Sequence, residues 1–331
     1  MTRARLMVLA VVLCSMIGCS GADDDGSSAS AEGTGSTVAD GTTTTTAAVD
    51  RVEVETAATY DIEFHRDVAF AEAETAAGPM TLQLDWVEPV DADGLRPVAV
   101  LLHGGGWTSG VRQSPGLMAL VSDLAARGFV ALSADYRLAG DDPVPSERVQ
   151  PLLDAIGGLD APALQRAGVA SEEDTLSVFD WLAEHAEEYA LDLDRVVVGG
   201  GSAGAITAAT TVYAADSMGV EVPPVDAVIN LWGGVLDAPE SGFFTGPEGV
   251  VEADDPSVFS VHGDADEEVP ISWSERLTAA AAAVGLDAVL VSAPGAGHGF
   301  AAIDLAEIET PDGTPALDAL YAFLARTVVA D

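Results

Sequence analysis

From about residue 51 the chain alternates between short apolar runs and stretches of helical period. Residues 61–66 and 80–87 alternate apolar with polar positions, as half-buried strands do. Residues 97–102 are a continuous apolar run that stops at His103-Gly104, the pattern of a strand covered on both faces. Residues 114–127 repeat apolar side chains at Leu117, Leu120, Val121 and Leu124, one face of a helix, and Gly128 ends it. Residues 129–134 return to a buried strand, 176–189 read as a second amphipathic helix, and 195–198 as a β-branched strand running into glycines. Further strands are predicted at 226–231, 257–261 and 288–292, and further helices from Ala205 onward, at 272–284 and at 316–328. Strands alternating with helices predict an α/β fold: a mostly parallel central sheet with helices on both faces. No internal repeat is visible.

The first fifty residues follow a different pattern. Two arginines in residues 1–5 precede an almost wholly apolar run over 6–17, too short to span a bilayer as a helix but suited to a signal-peptide core. The run ends in Met16-Ile17-Gly18-Cys19, which resembles the lipobox of bacterial lipoproteins. That resemblance implies lipidation of Cys19 after removal of residues 1–18, and an exported protein anchored to a membrane at the cell surface or in the periplasm. Cys14 would leave with the leader, so no intramolecular disulfide is expected. Residues 19–50 are rich in Ser, Thr, Gly and Asp and lack large side chains, so they read as a disordered tether. The folded domain is expected over 51–331.

Charge narrows the partners. Of 331 residues, 13 are basic, all of them Arg, and 54 are acidic, for a formal charge of −41. Loss of Arg3 and Arg5 with the leader would make it −43. Such a chain has no basic footprint for nucleic acid and no polybasic patch for an anionic bilayer. A hydrophobic content of 48% and a mean hydropathy of +0.27 place this charge on the surface of a filled core rather than on a disordered chain. The acidity without Lys is similar to that of salt-adapted secreted enzymes, and it disfavours anionic substrates.

Three motifs point to one chemistry. Residues 196–204 read strand, then Gly200-Gly201-Ser202-Ala203-Gly204, then helix: a G-x-S-x-G turn that would expose a serine hydroxyl above the sheet. His103-Gly104-Gly105-Gly106-Trp107 follows the 97–102 strand, and a loop stripped of Cβ atoms can aim N–H groups at a developing oxyanion. The Gly105, Gly106 and Ala203 amides are the candidate donors. No Lys follows that loop, which argues against a phosphate cradle. Ser202 needs a base. Among five histidines, His298 sits in a glycine-rich loop after the last strand and is the natural one. His65 and His185 read as solvated, and His103 and His262 as loop-bonding residues at strand ends. The acid would come from the carboxylates of residues 264–268; the order Ser, Asp, His follows.

These motifs resemble the α/β-hydrolase carboxylesterases of the HGGGW type, close to the hormone-sensitive-lipase-like and feruloyl/acetyl esterases. The shared blocks are HGGGWTSG at 103–110, ADYRL at 134–138, GGSAGA at 200–205, HGDADEEVP at 262–270 and GAGHGF at 295–300. The resemblance covers about residues 60–328 and implies Ser202, Asp266 and His298 as the triad, with Asp264 the alternative acid. It implies hydrolysis of carboxylic esters of small to medium neutral substrates, without cofactor or metal; peptidase, lactonase and polyester depolymerase activities share the fold. Two non-enzymatic readings stand beside it. One is a silent surface-binding lipoprotein. The other is a calcium binder at Asp264, Asp266, Glu267 and Glu268, which lack the EF-hand pattern. Residues 141–170 are an insertion relative to compact relatives, either a surface excursion or a cap. Trp107, Trp232, Phe243 and Phe244 are candidate substrate-binding residues on loops at the strand ends. Oligomeric state is not legible.

Overall fold

A computed structural model describes residues 50–235, 246–299 and 305–329. Eight strands form one sheet: β1 (Ile62–Thr75), β2 (Gly78–Pro89), β3 (Arg96–Leu102), β4 (Val130–Ala134), β5 (Leu191–Gly201), β6 (Ala227–Leu231), β7 (Ser257–Gly263) and β8 (Ala288–Ala293). Their order is β1-β2-β4-β3-β5-β6-β7-β8. Only the β1–β2 and β2–β4 pairings are antiparallel; β4-β3-β5-β6-β7-β8 is parallel throughout. The apolar runs become the inner strands because a parallel sheet buries both faces.

The period-2 alternation divides the core. Val98, Val100 and Leu102 face one layer with Leu176 and Leu182 of α3 (Ala163–His185), Ala208 and Ala209 of α4 (Ala203–Thr210), and Leu277 of α5 (Ile271–Val284). Ala99 and Leu101 face the other layer, with Val121 and Leu124 of α1 (Pro115–Ala125) and Leu320 and Phe323 of α6 (Ala316–Thr327). The N-terminal edge is stitched on by backbone: Val52 N–H donates to Leu95 O at 2.8 Å, and Leu95 N–H to Asp50 O at 2.9 Å.

Two expectations change. α3 begins at Ala163 rather than Leu176, so the end of the 141–170 insertion is the first part of a long helix. What precedes it is a chain of short turns with one short helix, α2 (Gln150–Ala155), whose Leu152 and Leu153 are buried. The segment leaves the sheet beside the Gly105–Trp107 loop, where Ala139 N–H donates to Trp107 O at 2.7 Å. It is then fastened to β1 by Val144 N–H to Glu74 O and to α3 by Ser146 N–H to Glu173. Second, His65 and His185 are not solvated. Both are half-buried in a run of rings: His65 stacks on Trp86 at 4.1 Å, and His185 on Trp181 at 4.4 Å, with Tyr189 between them.

The eleven described arginines each form an ion pair with Asp or Glu. The buried ones are hydrogen-bonded on several sides. Arg137 bonds Asp174 and Glu173 and also donates to the carbonyls of Glu74 and Val144. Arg195 bonds Asp192 and the carbonyls of Val52 and Leu95. Removing one member of such a buried set strands a charge and costs about 3–5 kcal/mol. Exposed pairs such as Arg326–Asp287 contribute little. Among the described residues no helix is long and apolar enough to cross a membrane.

Candidate active site

Ser202 stands between β5 and α4 with φ 55° and ψ −123°, a backbone state that β-branched and bulky residues avoid. Sterics explain the flanking glycines. A Cβ on Gly200 would lie 2.2 Å from Leu102 O, and one on Gly204 2.2 Å from the same oxygen and 2.6 Å from His103 O. The strand end and the helix start therefore close against β3, and the serine is turned out. Its own N–H is held by Leu231 O at 2.9 Å.

Ser202 Oγ lies 2.8 Å from His298 Nε2, and His298 Nδ1 lies 2.8 Å from Asp266 Oδ2. The side chain of Asp266 is fully buried and that of His298 is 16% exposed. Asp266 Oδ1 accepts the N–H groups of Glu268 and Val269, each at 2.9 Å, so the carboxylate is fixed before His298 reaches it. Asp264, the alternative acid, is exposed and accepts the Gly295 N–H at 2.6 Å. It bonds the loop that carries His298 rather than the imidazole.

The glycine loop packs directly on this turn. A Cβ on Gly104 would lie 2.9 Å from Gly201 O and 3.2 Å from Ser202 Cβ. The Gly105 carbonyl accepts the N–H groups of Thr108 and Ser109 at 3.1 and 3.2 Å. Because a trans peptide sets C=O and N–H on opposite sides, the Gly106 N–H points away from that turn. Ala203 opens α4, so its N–H belongs to the unpaired first turn of a helix, where the dipole favours negative charge.

Of the four candidate substrate-binding residues, Trp107 and Trp232 can be placed; Phe243 and Phe244 lie outside the described residues, as does Cys19. Trp107 is half-buried with φ 54°, and its indole N–H is shared between Ser171 Oγ on α3 at 3.1 Å and Thr207 Oγ1 on α4 at 3.0 Å. That tether ties the glycine loop to the helix that starts at Ser202. No sequence pattern signalled it. Trp232 lies beside the turn: a Cβ on Gly201 would meet its Cζ2 at 2.9 Å, and one on Gly299 would be 4.0 Å from its Nε1. Burial pushes the pKa of His103 down, its ring stacks on Tyr136 at 4.2 Å, and its Nδ1 bonds Gly104 O at 2.8 Å. It braces the loop. Among the described residues no group of three or more His, Cys, Asp or Glu is arranged to hold a metal ion.

The sequence and the fold match known proteins. Residues 84–156 match the BD-FAE family, and residues 163–247 match a family described as alpha/beta hydrolase fold. The chain has the α/β-hydrolase fold. Thermogutta terrifontis esterase 2 phosphorylated by paraoxon superposes on this chain with a TM-score of 0.54 and 25% identity, covering 72% of this chain and 84% of that one. Esterase LipI of Mycobacterium tuberculosis is 29% identical over 149 residues, which is 45% of this chain and 38% of LipI. Carboxylesterase NlhH of Mycobacterium tuberculosis is 31% identical over 131 residues, 40% of this chain and 33% of NlhH. The chain thus spans well under half the length of these two curated relatives.

Proposed function

We propose that the protein hydrolyses carboxylic esters of small to medium neutral substrates through an acyl-enzyme on Ser202. The observation that carries this reading is the unbroken chain Ser202 Oγ, His298, Asp266, with two contacts of 2.8 Å, on a serine held at φ 55°. His298 Nε2 takes the hydroxyl proton as Ser202 Oγ bonds to the acyl carbon. Asp266 holds the tautomer with the proton on Nδ1 and stabilises the imidazolium that forms. The Gly105, Gly106 and Ala203 amides receive the oxyanion, and the dipole of α4 adds to them. Collapse of the tetrahedral intermediate breaks the ester C–O bond, and His298 gives its proton to the leaving alcohol. Water then repeats the sequence on the acyl-enzyme and releases the carboxylic acid. The esterase names of LipI and NlhH support this reading.

The test is hydrolysis of p-nitrophenyl acyl esters of graded chain length. Ser202→Ala should lower kcat by roughly 10⁶, and paraoxon should modify the wild type on Ser202 and spare the variant. Equal inactivity of wild type and Ser202→Ala on every ester, acetyl-sugar and feruloyl substrates included, would sink the proposal. We further propose export and anchoring through a lipid on Cys19, supported by the charged and apolar pattern of residues 1–19. Labelled palmitate should enter the full chain and not Cys19→Ser; equal labelling of both overturns it.

A further inference from the structure

Behind the triad lies a second histidine that the mechanism above leaves unused. His262, at the end of β7, has a fully buried side chain. Its Nε2 lies 2.9 Å from Val269 O and 3.3 Å from Asp266 Oδ2, the oxygen that also faces His298 Nδ1. Both neighbours of Nε2 are acceptors, so this nitrogen carries the proton. Nδ1 lies 2.7 Å from Ser274 Oγ on α5. Ser274 Oγ also lies 3.0 Å from Gly233 O, so its one hydroxyl proton is shared between that carbonyl and the ring; with the proton on Nε2 and burial pushing the pKa of His262 down, Nδ1 is left as an acceptor for it. Ser274 Oγ in turn accepts Asn230 Nδ2–H of β6 at 2.8 Å. With Ser274 donating to His262, the row Asn230, Ser274, His262 points its donors toward Asp266, while Val269 O shares the Nε2 proton; in such a row each bond polarises the next.

We propose that His262 is a positioning residue for the catalytic acid: its Nε2–H donates to Asp266 Oδ2 and limits how strongly that oxygen pulls on His298. The charged and titratable groups around it bear this out. Asp266 comes from its own loop and His298 from the loop after β8. β6 and α5 present neutral Asn230 and Ser274. Asp264, Glu267, Glu268 and Glu275 are exposed, and Arg276 is paired with Glu248. With one donor fewer, Oδ2 would carry more negative charge toward the imidazolium of His298.

The inference rests on the esterase reading for its kinetic arm only, so it is tested first by NMR of the full protein with labelled histidine. In wild type, His262 should show a protonated Nε2 and a bare Nδ1 through the neutral range. In His262→Leu, the low-field Nδ1–H signal of His298 should move further downfield. The acid limb of kcat/KM on p-nitrophenyl acetate should move up by about half a pH unit, with the plateau only a few-fold lower. His262→Gln restores a donor and should return both readouts toward wild type. Ser274→Ala, which frees the tautomer without touching the ring, should shift them less and in the same direction. A folded His262→Leu with the His298 signal and the acid limb unmoved overturns the proposal. If that variant does not fold, an unmoved signal and limb in Ser274→Ala overturn it. A moved His298 signal in a protein that cleaves no ester supports this inference and fails the esterase reading instead.

Discussion

The same dipeptide, His-Gly, follows β3 directly and closes β7, and the two are put to opposite uses. At β3, His103 turns back onto its own loop: it stacks on Tyr136 and bonds Gly104 O, and the reactive end of the segment is bare backbone at Gly105 and Gly106. At β7, His262 turns toward α5 and Asp266, and the reactive end is a carboxylate wrapped in N–H donors. In the proposed mechanism one end offers amides to a negative charge that appears only during reaction. The other holds a permanent negative charge still. Both need a rigid histidine, but only the second is in contact with the acid–base chain.

The largest effect that tests this contrast lies on the carboxylates of the β7 loop. Asp266→Asn should lower kcat by about 10⁴, because the amide leaves His298 in the wrong tautomer, whereas Asp264→Asn should stay within about threefold. Comparable losses in steady-state assays would erase the distinction between the two acids. Next comes His103. His103→Asn loses the stack on Tyr136 and should destabilise the fold by about 1–3 kcal/mol in urea titrations, while the acid limb of the pH profile stays in place. A shifted limb would show that the two histidines are not separate in function. The smallest effect is at the other end of β7. Burial, with Asp254, Glu252 and Asp216 adding like charge, raises the pKa of Asp255 to about 6. The folded state therefore binds a proton there that the unfolded state, near 3.9, has already lost. Stability is lost as pH rises between about 4 and 6. Asp255→Asn still accepts the Glu252 N–H and should melt higher than wild type above pH 6, the gap closing below about pH 4. A gap independent of pH would refute this assignment.

Much of the fold was legible because its parallel strands are short, mainly apolar runs. β3, β4, β6, β7 and β8 all fall within a residue or two of the runs read from the chain. Ser202 was legible for the same steric reason that makes the turn possible. The early start of α3 was not. Glu172, Glu173 and Asp174 look like a solvated face, yet they are buried, and the last two are neutralised by Arg137 from a different part of the chain. A pairing 36 residues away leaves no local signature. The residues alone left Asp264 and Asp266 open, and only the family resemblance chose between them; the coordinates separate them by which one bonds His298. The Trp107 tether and the His262 row were invisible because each joins three elements through side chains that also occur in ordinary cores.

The arginine pairing has a consequence for what leaves the molecule. The proposed hydrolysis of an ester would end in a carboxylate anion, formed inside a protein of formal charge −41 whose described arginines are each already matched to an acid. Among the described residues such a charge distribution leaves no unpaired arginine to detain that anion. On the proposed reaction the product would move down a potential gradient from the moment it forms, and the gradient is steepest at low ionic strength, where screening is weakest. Acidity on this scale then works as an ejector as well as a solubilising coat.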